Sequence, residues 1–315
     1  METLIIAHGD TDGVTSASIA KAVYPEGEVF FSHPVGLYGD LKPFKDARRV
    51  IILDIALSEH VLKEVIELLE ELACQAEVVY IDHHPPPLDL RVLEEKGVRV
   101  VHDENACAAE LAFRFYADKL SSDMSRVALY GAIGDYAINT PFVQETLKLW
   151  DIRSLYFEAG VLIQGLEYFR KDYDIKRRVV GHLSLNRLPS DLPELLVASI
   201  IEARREEELR RKLPELIKTY GEIAYVINPP GSLGRSAFYA RVYAKKKVGI
   251  AMEERKNLFI MSLRATEESM DLNSILREIT PKLGGSGGGH RLAAGARIPK
   301  ERLNEFLELL SSSIT

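Results

Sequence analysis

Three features of the sequence predict an α/β protein in which an N-terminal parallel-sheet domain is joined by a helical connector to a smaller α/β domain. Short apolar runs alternate with helical patterns from Leu4 to Ile81, a charged helical stretch follows further along, and strand-like patterns return near Gly221. Strand alternating with helix implies a parallel sheet with helices on its faces. The expected divisions are 1–175 for the first domain, 176–220 for the connector and 221–315 for the second domain.

The first strands are Leu4-Ile5-Ile6-Ala7, Val50-Ile51-Ile52-Leu53 and Val78-Val79-Tyr80-Ile81, continuous apolar runs rich in β-branched residues, as buried parallel strands require. Between them, residues 14–23 and 59–72 read as helices. In the second of these Val61, Val65, Leu68, Leu69 and Leu72 mark one face, and Ser58 supplies the N-cap. Residues 149–220 read as helical and charged, with a charge run from Arg204 to Lys212 ahead of Pro214. Beyond it, 222–228 turns strand-like and Pro229-Pro230-Gly231 makes a sharp turn. Residues 236–244, 257–264 and 292–298 read as further strands, 271–282 as a helix, and a last helix starts at Lys300.

Acids and histidines follow each of the first three strands: His8-Gly9-Asp10-Thr11-Asp12-Gly13, then Asp54, then Asp82-His83-His84. All strands of a parallel sheet point one way, so these clusters share one rim, where open α/β sheets place their ligands. Singly each is ambiguous. Asp-x-Asp-Gly also makes solvated turns, a histidine pair also serves in a surface or core, and Asp54 alone could be a capping acid. Their succession at three strand ends points to a site. Asp10, Asp12, Asp54 and Asp135 bring four negative charges together, and like charges in a shared site raise one another's pKa. Two divalent cations balance them, with neutral His8 and His83 completing the coordination. Mixed carboxylate and imidazole ligation suits Mn2+, accommodates Zn2+, Co2+ or Fe2+, and argues against Ca2+. Two such ions about 3.5–4 Å apart activate water and stabilise both the attacking and the leaving oxygen at phosphorus.

At 315 residues and 46% hydrophobic, the chain is long enough for two cores. It shows no basic, apolar leader and no apolar run long enough to span a bilayer, so a cytoplasmic protein without a membrane partner is expected. Cys74 and Cys107 stand in separate predicted helices without CxxC spacing, which argues against a disulfide framework or a structural zinc site. The net charge of −7 disfavours long nucleic acids. Bound metal would offset part of it, however, and affinity depends on local charge. Basic stretches exist at Lys176-Arg177-Arg178, Arg204-Arg205, Arg210-Arg211-Lys212 and Lys245-Lys246-Lys247, most of them expected on solvated faces. This balance favours short oligonucleotides, which need few phosphate contacts. Oligomeric state is left open, a homodimer being one form the sequence allows.

The run Gly284-Gly285-Ser286-Gly287-Gly288-Gly289 follows a predicted helix and precedes a strand, reversing the order of a dinucleotide or P-loop motif, and no Gly-Lys-Ser/Thr ends it. Because an apolar strand continues directly, it reads as an ordered loop. Glycines permit close backbone approach, so the N–H groups of Gly287, Gly288 and Gly289 can line an anion-binding concavity, with His290 and Arg291 adding donors. Arg264, at a strand end, can clamp two phosphate oxygens at once.

With these residues in place the chain resembles the DHH phosphoesterase family over nearly its whole length. His8-Gly9-Asp10-Thr11-Asp12-Gly13 matches the family's first motif, Asp54 its second, Asp82-His83-His84 its third and Gly134-Asp135 its fourth. Gly287-Gly288-Gly289-His290-Arg291-Leu292-Ala293-Ala294-Gly295 matches the signature of the DHH-associated substrate domain. The resemblance implies that His8, Asp10 and Asp54 hold one ion and Asp12, Asp54, His83 and Asp135 the other, with Asp54 bridging. It further implies that His84 contacts the scissile phosphate, that Asp82 orients a metal-ligand histidine from behind or ligates directly, and that Arg264 helps hold substrate phosphate.

A division of labour follows, in which the first domain activates water and the second holds the terminal nucleotide. The expected activity is a Mn2+-dependent exonuclease that converts short single-stranded oligonucleotides, RNA foremost and with 3′–5′ polarity, to mononucleotides. The compact chain resembles nanoRNase-type members, whereas the His-x-Asp-x-Asp-Gly spacing is nearer the RecJ pattern, which leaves RNA against DNA and polarity open. Alternatives are a 3′,5′-bisphosphoadenosine phosphatase, a cyclic-dinucleotide phosphodiesterase, and a nucleotide sensor without turnover. The full ligand set with His84 argues against the sensor, and the glycine signature against a pyrophosphatase.

Overall fold

The computed structural model describes residues 1–266 and 270–314, and the chain divides into two compact units, Met1–Glu202 and Ala203–Thr315. The first is built on a parallel sheet of β1 (Thr3–His8), β2 (Glu28–Ser32), β3 (Arg49–Leu53), β4 (Glu77–Asp82) and β5 (Arg99–His102), in the order β2-β1-β3-β4-β5. The flanking strands β2 and β5 join the three expected from sequence. They are only partly buried, so they lack the continuous apolar run that marks a central strand.

The longer helices of this unit are α1 (Thr11–Val23), α2 (Leu62–Ala73), α3 (Ala108–Phe115), α4 (Ser125–Gly134), α5 (Ile152–Phe169), α6 (Tyr173–Leu183) and α7 (Pro193–Lys212), the last continuing past Glu202. Successive strand side chains point to opposite faces. Ile5, Ala7, Ile51, Leu53, Val79 and Ile81 therefore pack with α1 and α3 to α6, while Leu4, Ile6, Val50, Ile52, Val78 and Tyr80 pack with Leu37, Leu41, α2 and Leu93. Ser58 caps the turn leading into α2, accepting from the His60 N–H, and Val65, Leu68, Leu69 and Leu72 form its buried face. The chain changes faces between β1 and β3, where strand order reverses. Such switch points open a crevice at the C-terminal strand ends.

At that crevice α1 begins almost in contact with β1. A Cβ on Gly13 would lie 2.1 Å from the His8 carbonyl oxygen, so no larger residue fits without moving helix or strand. Asp10 caps the helix by accepting from the Gly13 N–H at 3.0 Å.

The second unit carries a mixed sheet in the order β10-β11-β9-β8-β7-β6, made of β6 (Lys218–Tyr220), β7 (Ile223–Ile227), β8 (Val248–Arg255), β9 (Leu258–Ala265), β10 (Ser286–Gly289) and β11 (Ala293–Pro299). β7 and β8 are parallel and the other pairs antiparallel. Its helices are α8 (Leu233–Ala244), α9 (Leu272–Lys282) and α10 (Leu303–Ser313).

Three expectations are corrected here. Residues 236–244 form most of α8 rather than a strand. Their aromatic and β-branched residues favour a strand locally, but Ser236, Ala237 and Ala240 recur at helical spacing and are buried. A Cβ on Gly249 of β8 would lie 1.9 Å from the Ala237 carbonyl oxygen, so the small residues let the helix lie on the sheet, and packing overrides propensity. The end of the expected helical stretch is β6, which turns into β7 at Gly221, where φ is 54°. The glycine run is not a loop but largely β10, and a Cβ on Gly287 would press on Leu276 and Thr280 of α9 at 3.1 Å.

Candidate metal centre

Because β1, β3 and β4 are neighbours, their C-terminal ends bring His8, Asp10, Asp12, Asp54, Asp82, His83 and His84 to one rim. Asp135 arrives separately, as the C-cap of α4. His83 Nε2 lies 3.3 Å from Asp54 Oδ1, 3.6 Å from Asp12 Oδ2 and 3.7 Å from Asp135 Oδ2. His8 Nδ1 lies 2.9 Å from Asp10 Oδ2 and 3.8 Å from Asp54 Oδ2. Two of the donor groups formed among the described residues are His8-Asp10-Asp54 and Asp12-His83-Asp135, the atoms of each within 4.8 Å of one another. Asp54 turns one oxygen toward each.

The local fold explains these placements. Asp54 has a left-handed backbone, φ 58°, a conformation aspartate tolerates better than most residues, and its N–H donates to the Ile81 carbonyl at 2.9 Å. Asp12 is held from behind, its two oxygens accepting from the Ala108 and Ala109 N–H groups at 2.6 and 2.9 Å. Those are the first N–H groups of α3, and a helix N-terminus favours negative charge.

Electrostatics make this cluster unstable as it stands. Burial, then the charges of Asp10, Asp12, Asp135 and Asp82, holds the Asp54 carboxyl well above the usual range. Burial likewise raises Asp12. Asp54 Oδ2 is buried with no hydrogen-bond donor among the described residues. An orphaned carboxylate oxygen among further carboxylates and imidazoles fits divalent cations, which satisfy the lone pairs and offset the repulsion.

His84 and Asp82 form a separate pair, with Nδ1 and Oδ1 at 2.8 Å. Burial works against a charged imidazole, but the Asp82 carboxylate outweighs it and pushes His84 up to about 9. Asp82 is held down at about 2, burial opposing and His84 prevailing. The Tyr80 hydroxyl donates to Asp82 Oδ2 at 2.9 Å, and the His84 N–H approaches the same oxygen at 3.3 Å. Asp82 therefore orients His84 rather than the ligand-like His83.

The other expected site residues lie in the second unit. Arg264 stands opposite Ala293, His290-Arg291-Leu292 links β10 to β11, and the His290 N–H donates to the Ala293 carbonyl at 2.9 Å. Gly287 and Gly288 pair with Ala296 and Gly295. Gly289, with φ 142°, donates its N–H to Oδ1 of buried Asn273 at 3.1 Å, and a Cβ there would come within 2.9 Å of the Ala293 carbonyl oxygen. Arg264 Nη1 donates to Ser262 Oγ and the Leu263 carbonyl. The sheet thus gathers Arg264, Gly289, His290 and Arg291 at one end, and runs Gly288 and Gly287 away from it.

Two neighbours of the motif residues, Lys176 beside the first motif and Tyr136 after the fourth, escape the sequence reading. Lys176 belongs to a basic stretch expected to be largely solvated, yet it is 5% exposed and its Nζ donates to the Gly9 carbonyl oxygen. The available signal was its place in the stripe Lys176, Val179, Val180, Leu183 on the buried face of α6. Tyr136 follows Asp135 in the left-handed conformation, φ 59°, as the residue after the cap of α4. The Ala137 N–H donates to the Ala132 carbonyl at 2.9 Å and the Tyr136 N–H to the Ile133 carbonyl at 3.4 Å. That is a Schellman ending, whose left-handed position usually holds glycine. A side chain there costs roughly 1–2 kcal/mol.

Comparison with known proteins gives a consistent picture. Residues 2–134 match the model of the DHH family, N-terminal domain, and residues 227–315 that of the DHHA1 domain. Among solved structures, a pGpG-specific phosphodiesterase from Vibrio cholerae superposes with a TM-score of 0.60 at 16% identity, over 99% of this chain and 98% of that one. RecJ from Thermus thermophilus, in complex with Mn2+, superposes with a TM-score of 0.68 at 16% identity, over 99% of this chain and 51% of that one. At these identities the likeness concerns the fold. An alanine–tRNA ligase from Korarchaeum cryptofilum is 35% identical over 57 residues, so the match spans 18% of this chain and only 6% of the ligase.

Proposed function

From the match of residues 2–134 to the DHH family N-terminal domain and of residues 227–315 to the DHHA1 domain, we propose that the chain is a Mn2+-dependent phosphodiesterase that releases mononucleotides from short single-stranded oligonucleotides, RNA foremost and in the 3′–5′ direction. The observation that carries this reading is the pair of donor groups His8-Asp10-Asp54 and Asp12-His83-Asp135, with Asp54 Oδ1 3.3 Å from His83 Nε2 and Asp54 Oδ2 buried without a hydrogen-bond donor among the described residues. His8, Asp10 and Asp54 would hold one cation, and Asp12, Asp54, His83 and Asp135 the other. Bound there, the two cations supply activated water and neutralise charge at phosphorus. The water oxygen forms the new P–O bond, the ester P–O bond breaks, and the departing oxygen takes up a proton.

The remaining residues of the centre position these partners. Asp82 and Tyr80 fix the His84 ring, which meets a non-bridging phosphate oxygen. Asp12 stays oriented by the α3 N-terminus, and Lys176 fixes the Gly9 carbonyl between His8 and Asp10. In the second unit Arg264, His290 and Arg291, with the backbone of Gly287, Gly288 and Gly289, grip the phosphates of the terminal nucleotide. A dinucleotide specificity in the Vibrio protein, whose chain this one matches almost end to end, supports a short substrate.

The test is hydrolysis of end-labelled RNA and DNA of two to about twenty nucleotides, with 3′,5′-bisphosphoadenosine and a cyclic dinucleotide as separate arms. Mononucleotides from the shortest RNAs, lost on chelation and restored best by Mn2+, are expected. Full activity in buffer shown by elemental analysis to be metal-free, or turnover of the bisphosphonucleoside alone, contradicts the reading.

A further inference from the structure

Tyr136 occupies a position that packing does not explain. It is the left-handed residue of the Schellman ending of α4, where glycine is free of Cβ strain. The residue is 85% exposed, the highest exposure among the large hydrophobic residues described, so burial does not offset the strained backbone. Its place in the chain is equally specific, since it follows Asp135, whose carboxylate lies 3.7 Å from His83 Nε2. The segment beyond it is tied down. Gln144 Nε2 donates to the Ile138 carbonyl at 2.8 Å, and Thr140, capping the helix Pro141–Leu147, donates its hydroxyl to buried Glu110 at 2.7 Å.

A strained, solvent-facing aromatic on a pinned segment beside a phosphodiester site is a ready platform for a flat ring. Strain of this kind persists at functional sites when the surroundings enforce it. A platform held in place loses less freedom on binding than a mobile one.

We propose that Tyr136 is a specificity-determining residue that stacks on a nucleobase of the substrate next to the metal centre. This rests on the phosphodiesterase reading above and adds to it a contact with the base rather than with phosphate or metal. The ring does the work and the hydroxyl does not. Stacking is tolerant of base identity, so the contact selects nucleotides over other phosphodiesters without reading sequence.

The experiment compares the wild-type holoenzyme with Tyr136→Gly and Tyr136→Phe on a dinucleotide and on the same dinucleotide carrying an abasic residue at either position. Tyr136→Gly is expected to raise KM for the intact dinucleotide roughly 5- to 150-fold, the range that base–aromatic stacking implies, while kcat stays within about twofold. Tyr136→Phe keeps the wild-type KM. One abasic substitution should weaken wild type and leave Tyr136→Gly unaffected, because the partner of the lost base is already gone. Metal stoichiometry stays the same in all variants, and Tyr136→Gly melts about 2–4 °C higher through relief of strain. An active wild type with an unchanged KM in Tyr136→Gly overturns this inference alone. A wild type inactive on every oligonucleotide removes the functional reading and this inference together.

Discussion

Asp54 combines a left-handed backbone with a buried carboxyl facing other carboxylates, and both features work against folding unless a cation is present. Metal-free protein should therefore gain stability when that charge is removed. Asp54→Asn is expected to melt a few degrees above wild type in chelator and to lose most of the stabilisation that Mn2+ gives wild type, because a ligand needed by both donor groups is weakened. Asp54→Ala should nearly abolish turnover. Calorimetry with and without chelator, beside metal analysis, checks both, and near-wild-type rate with wild-type metal content in Asp54→Ala would sink the bridging assignment. Asp82 makes the complementary case. It holds His84 at 2.8 Å and takes its other oxygen's bonds from Tyr80 and the backbone, so Asp82→Asn should lower turnover about 10- to 100-fold while metal content stays at the wild-type level. Loss of metal in this variant would make Asp82 a ligand instead.

The centre depends on how closely its elements meet. A Cβ on Gly131 of α4 would lie 2.5 Å from Ala109 Cβ and Thr15 Oγ1 and 2.8 Å from Asp12 Oδ1, and one on Gly134 would lie 2.8 Å from Thr11 Cβ. Gly131→Ala is accordingly expected to cost about 1–3 kcal/mol and to weaken metal binding, since the intruding methyl meets Asp12 itself. Unchanged melting and metal affinity would show that α4 can move away freely. This dependence on element packing also decides what could be read from sequence. The ends of β1, β3 and β4 were legible because apolar runs mark buried strands, and each run is followed by residues with metal-binding chemistry. The hold of α3 on Asp12 was not, because backbone N–H groups leave no residue signature. Strands β2 and β5 lack that apolar continuity, and α8 hides its helical period behind Phe238, Tyr239, Val242 and Tyr243. Lys176 was misread for the opposite reason. Its neighbours Arg177 and Arg178 are paired near the surface with Asp174 and Glu194, and a run of three cations conceals that the first lies on the apolar stripe.

On the scale of the whole chain, the donors assigned to the two cations lie in the unit Met1–Glu202 and the arginine, histidine and glycine motif in the unit Ala203–Thr315, each with its own core. Chemistry and grip should consequently fail independently. Arg264 is the penultimate residue of β9, opposite Ala293, and His290 sits in the link between β10 and β11, so both are positioned by the second unit's own sheet. Arg264→Ala and His290→Ala are each expected to keep wild-type metal stoichiometry and the full Mn2+-induced rise in melting of the first unit, while KM for short oligonucleotides rises about tenfold or more, as the loss of a charge-assisted phosphate contact implies. Turnover falls with it where the lost contact also aligned the scissile phosphate, because misplacement of the reacting groups raises the transition-state barrier. The measurement is metal content beside oligonucleotide kinetics for both variants. If either loses metal, or if both keep normal kinetics on every short oligonucleotide tried, substrate grip does not reside in the second unit and its glycine-rich strand serves packing alone.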